Sequence, residues 1–141
     1  MIDPQGVPEV DPNETLARFI FSRSHIRRSD GTIKPDAFVP DPHAELSVMR
    51  HRDATESELW AAGHAIAALR DRQLHGRGDV GADAFLQRGL AVLAAPIIND
   101  ALLPDNPNHA KVTGWPKADP ARQRLLALEI AAQAKLVWPN T

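Results

Sequence analysis

The clearest hydrophobic pattern in the chain lies at residues 55–72, where Leu59, Ala62, Ile66 and Leu69 recur at helical spacing. Thr55-Glu56-Ser57-Glu58 opens this stripe as a capping box. The Thr55 hydroxyl accepts the backbone N–H of Glu58, whose carboxylate reaches back to the Thr55 N–H. Elsewhere the pattern changes period. Residues 45–50 alternate, with Leu46 and Val48 on one face and Ser47 and Met49 on the other, which predicts a half-buried strand. Residues 110–115 alternate again and stop at Pro116, while residues 90–94 form a compact apolar strand. Residues 32–39 read as extended, with Pro35 confining them to an edge.

Three more helices complete the expectation. Asn13 caps a short one over residues 14–21, with Leu16, Phe19 and Ile20 on one side. Residues 83–88 form another, ended by Gly89 as a left-handed cap. Asp119-Pro120 opens the last, running to about residue 136. That helix carries two apolar stripes, one of Ala121, Leu125, Leu128, Ala132 and Leu136, the other of Leu126, Ile130 and Val137. A surface helix needs a single stripe, so the second face predicts either a sandwiched helix or contact with another chain.

Strands therefore arrive in neighbouring pairs. This predicts an α+β fold, a small mixed or antiparallel sheet of about four strands with helices packed on one face. Residues 13–141 are expected to form one domain behind a flexible tail at residues 1–12, which carries Pro4, Pro8 and Pro12 with Asp3, Glu9 and Asp11.

Composition narrows the class. A chain of 141 residues fits a single core, and its net charge of −2 gives no global attraction to nucleic acid or anionic membrane. With no cysteine, disulfides and thiolate-ligated metals are ruled out. The longest apolar run, residues 90–98, is far short of the roughly 20 residues that span a bilayer. No signal-peptide pattern opens the chain, so the expected compartment is a bacterial cytoplasm.

Six histidines are the natural place to look for acid/base chemistry. His75 and His109 stand at element ends, as does His51, and Asp79 is available to orient one of them. This makes His75, His109 and Asp79 the candidate catalytic set of a hydrolase or transferase. Arg70 projects beside the apolar stripe of the residue 55–72 helix, as an anion-binding arginine at the mouth of a cleft would. Gly76-Arg77-Gly78-Asp79-Val80-Gly81 matches the letters of a dinucleotide fingerprint, but the element before it reads as a helix and no strand-helix-strand unit surrounds it. What survives is a glycine-rich connector in which Arg77 and the Gly78 backbone hold an anion. No histidine spacing places two metal ligands on one helix face, and no cofactor is implied.

The leading expectation is a small interaction protein acting through a protein partner or as a homo-oligomer. Leu126, Ile130, Val137 and Trp138 would form the contact, and Trp115, held extended before Pro116, is a further anchor. The competing expectation is an enzyme acting on a phosphate-bearing substrate through His75 and His109. The third is a nucleic-acid-binding module using Arg23, Arg27 and Arg28, in a basic stretch that begins at Arg18.

Overall fold

The structure, a computed structural model, describes residues 6–139. The chain runs β1 (Thr15–Ile20), a 3-10 turn at Arg23–His25, β2 (Ile26–Arg27), β3 (Thr32–Ile33), a second 3-10 turn at Pro35–Phe38, β4 (Leu46–Arg50) and α1 (Glu56–Leu69). It continues through β5 (Gly76–Gly81), α2 (Ala82–Leu86), β6 (Ala91–Ala94), β7 (His109–Thr113), α3 (Pro120–Ala131) and β8 (Lys135–Val137). Six strands form one antiparallel sheet in the order β6-β7-β4-β1-β5-β8, and β2 and β3 make a separate hairpin. The α+β class is as expected, with six strands in place of about four.

Three strands of the sheet, β1, β5 and β8, come from segments that read otherwise: the expected last helix stops at Ala131 and Lys135–Val137 pairs with β5 as β8, while the strand expected at residues 32–39 is only the two-residue β3 of the hairpin. The patterns of β1 and β5 misled for a physical reason. Residues 15–20 form β1, a central strand, because they are buried on both sides: Leu16 and Ile20 enter the main core, while Ala17 and Phe19 pack beneath α1. A doubly covered strand reads as a continuous apolar run and mimics a short helix. Residues 76–81 form β5, paired to β1 along its whole length and to β8 on its other side. Glycine is required there by packing. A Cβ on Gly78 would stand 2.7 Å from Ile33 Cδ1 and 3.2 Å from Phe38 Cζ.

Helices cover both faces of the sheet, which corrects the expected single-sided packing. On one face α2, α3 and the hairpin close the main core of Leu16, Leu46, Phe38, Phe85 and Ile130. On the other, α1 lies over β1 and β5 with Leu59, Trp60, Gly63 and Ala67 buried. The capping box forms as expected, with Glu58 N–H to Thr55 Oγ1 and Thr55 N–H to Glu58 Oε1 both at 3.1 Å. The buried stripe of α1 is rotated relative to the one read from the sequence. Ile66 is half-buried and Leu69 exposed, because Gly63 lets the helix settle on Phe19 and Leu74.

Of the expected tail, residues 1–5 lie outside the described residues. The carbonyls of Pro8 and Glu9 accept hydrogen bonds from Arg50, a fully buried arginine that also holds Glu14 in a two-point ion pair. Among the described residues, no helix is long and apolar enough to cross a membrane.

Candidate functional site

Ladder pairing between β1 and β4 ends at Ala17, opposite Met49. Past that point the two strands part, and Arg18 fills the gap. Its Nε donates to the Ala37 carbonyl at 2.8 Å and its Nη1 to the Ser47 carbonyl at 3.0 Å. The opening is the floor of a cleft of about 420 Å³. One wall is the side of α1 that carries Ala62, Ile66 and Arg70; the other is the loop 97–108, closed on itself by the Ile97–Asn106 bridge. Phe19, Met49, Leu103 and Pro104 make its interior mainly apolar.

Polar groups mark the two ends. Arg70 caps α1 and stands over the Phe21 ring at 5.5 Å, close to Arg18. Burial and then the neighbouring Arg70 charge bring the Arg18 guanidinium down to about 10, with Asp41 opposing. Neither arginine has a carboxylate within ion-pair distance among the described residues. At the other end, the β4–β7 register sets His109 beside Met49, under the N-terminal half of α1. His109 Nδ1 lies 2.8 Å from the Ala95 carbonyl. A carbonyl only accepts, so Nδ1 carries the proton and Nε2 keeps its lone pair. Burial holds the ring below its ordinary pKa, partly offset by the Ala95 bond, so it is neutral at pH 7.

The structure distributes the sequence candidates differently. His75 and His109 are not brought together: β5 and β7 are separated by β1 and β4. Three strand spacings alone put roughly 14 Å between them. Asp79 does orient a histidine, but it is His51, whose Nε2 lies 3.0 Å from Asp79 Oδ1. Burial works against the Asp79 charge, yet the hydrogen bonds from His51 and Arg77 outweigh it and hold the carboxyl below its usual range.

Arg77 is 2% exposed and is not a free anion ligand. It binds both oxygens of Asp79 and both of Glu56, and its guanidinium lies 4.8 Å from the centre of the Trp60 ring. Gly78 sits inside a strand whose backbone is committed to the sheet, so the glycine-rich stretch forms no phosphate-cradling loop. Among the described residues, no group of three or more metal-ligating side chains converges.

The proposed contact face is largely interior. Ile130 is fully buried, Trp115 is 3% exposed with its indole N–H on the Val112 carbonyl, and Leu126 and Val137 pack against core clusters. The outward stripe of α3 is the other one, with Leu125 55% and Leu128 48% exposed. Of the five residues expected to meet a partner, Trp138 is the exposed one.

The cleft was announced by Arg70 alone. Arg18, Phe19 and the loop 97–108 were missed as its components, because nothing local shows where two strands part. Ile66 carried a second, unused signal: an apolar residue on the helical stripe that the core leaves half-buried and that lines the cleft. The chain matches no family model, no characterised protein and no solved structure.

Proposed function

We propose that this chain is a binding protein for a small organic anion with an apolar body, taken up lengthwise along α1. The observation that carries this reading is the pair Arg18 and Arg70. Two like charges held close at the end of an apolar cleft, neither in ion-pair contact with a carboxylate among the described residues and only partly offset by Asp41, repel each other, and a bound carboxylate or phosphate relieves that cost. The apolar body lies against Phe19, Met49 and Ile66. His109 Nε2 offers an acceptor to a hydroxyl or amide at the far end.

A chain-length-matched set tests the reading by thermal shift: octanoate, octyl phosphate, octylamine and octanol. The two anions are expected to raise the melting temperature in proportion to concentration over Kd. Equal stabilisation by octylamine would overturn the assignment of charge.

A further inference from the structure

A second cationic surface lies on a different part of the fold, where the hairpin β2–β3 meets the outer edge of the sheet. The hairpin is anchored by Ile33 against the Gly78 position and by Ile26 near Gly76. Its exposed arginines, Arg23, Arg27 and Arg28, have no carboxylate within ion-pair distance among the described residues. Asp30 accepts the Thr32 N–H and hydroxyl and lies near Arg27 without pairing with it, and Asp36 pairs with Arg124, which leaves Arg23 and Arg28 the freer cations of the group.

Chain-distant groups converge on the same place. His75 immediately precedes β5, and Arg23 and Arg28 stand close enough to add to burial in lowering its pKa. The β5–β8 register pairs Arg77 with Val137. The next residue, Trp138, therefore comes alongside Gly76 and His75. Trp138 is 54% exposed, whereas Trp60 and Trp115 are buried. Ile26 of the hairpin reaches the same Gly76 position, so the half-exposed indole and the exposed arginines of this segment stand at one end of the sheet, where a stacking surface and phosphate-binding cations combine.

We propose that Arg23, Arg27, Arg28, His75 and Trp138 form a binding surface for single-stranded nucleic acid, with phosphates on the arginines and a base stacked on Trp138. Single strands are favoured over a duplex because one isolated aromatic can engage only an unstacked base. With a net charge of −2 for the whole chain, the attraction is local to this patch and not a general property of the protein. It is independent of the anion cleft, whose residues it does not share.

The test uses fluorescein-labelled dT12 and rU12 in anisotropy titrations of the full chain, with quenching of tryptophan fluorescence as a second readout. Three phosphate contacts predict about an 18-fold drop in affinity between 50 and 200 mM salt, from a slope near −0.7 per contact. The double charge reversal Arg23→Glu/Arg28→Glu should lose binding by tenfold or more, and Trp138→Ala by about fivefold or more with the quench abolished. All three positions are exposed, so circular dichroism should show the variants folded. Absent binding, salt-independent binding, or wild-type affinity in Trp138→Ala would each overturn the proposal. So would binding to phosphatidylserine vesicles or heparin with no binding to either oligonucleotide.

Discussion

Replacing Arg77 by methionine removes the guanidinium while keeping most of the stem that lies against Trp60. The loss is concentrated on Asp79, whose side chain is 16% exposed and which surrenders two charge-assisted hydrogen bonds and its buried counter-charge. Glu56 is 61% exposed, so water replaces what it loses. Breaking a buried pair by removing one partner costs about 3–5 kcal/mol, and the lower end applies because His51 still holds Asp79. An exposed pair is worth roughly 0–1 kcal/mol, which bounds the Glu56 contribution. Arg77→Met is therefore expected to cost about 3 kcal/mol, or about 6–12 °C in Tm for a chain of this size. Urea titrations followed by circular dichroism and by Trp60 fluorescence measure it. Glu56→Gln should cost less than about 1 kcal/mol in the same assay. A loss in Arg77→Met no larger than that in Glu56→Gln would refute the account of Arg77 as the clamp between β5 and α1.

Other expectations follow from the same geometry. Asp79, Glu14 and Glu56 all have folded-state pKa values below their ordinary 3.8 and 4.5, so the stability they confer is present at neutral pH and is lost as pH falls below those values. Melting temperature measured from pH 7 to pH 2.5 should drop in that acid range, and Asp79→Asn should flatten the drop while lowering the plateau. Gly78→Leu forces a side chain into Ile33 and Phe38 and should cost about 1–3 kcal/mol or more by denaturant titration, whereas an unchanged midpoint would mean the hairpin does not pack there. Ile130→Ala should cost about 2–5 kcal/mol as a core truncation, while Leu128→Ala, on the outward face of α3, should stay within about 0.5 kcal/mol. A reversal of those two would restore the stripe assignment that the structure exchanges.

What the sequence revealed was local chemistry. The Thr55–Glu58 box, the Leu46–Arg50 alternation and the Asp119-Pro120 helix start each depend on neighbours within a few residues, and each is found where its pattern places it. β1 and β5 were obscured because their environment is set by distant segments: α1 and the core on either side of β1, and Ile33 and Phe38 packed onto Gly78 of β5. The same limit applies to the chemistry. Asp79 was expected to orient His75 or His109, but the carboxylate meets His51, and which histidine lies within its reach depends on the order of strands. His51 ends a strand that lies two places from β5, with only β1 between, while His109 lies a strand further away. For the last helix the stripe of Leu126 and Ile130 was read as the partner face, whereas packing buries it and turns Leu125 and Leu128 outward, and Leu136 and Val137 leave the helix for β8, which only pairing with β5 decides.

The central claim is that Arg18 and Arg70 hold the charged end of an apolar ligand, and isothermal titration of octanoate into the wild-type chain and into Arg70→Glu tests it most directly. Arg70 is exposed and its side chain makes no hydrogen bond within the described protein, so the variant keeps its fold. Charge reversal should weaken octanoate binding at least tenfold, as expected when one charge-assisted contact worth about 1.5–3 kcal/mol is replaced by repulsion. It should also turn preference toward octylamine. Equal octanoate affinity in the two proteins would contradict the account.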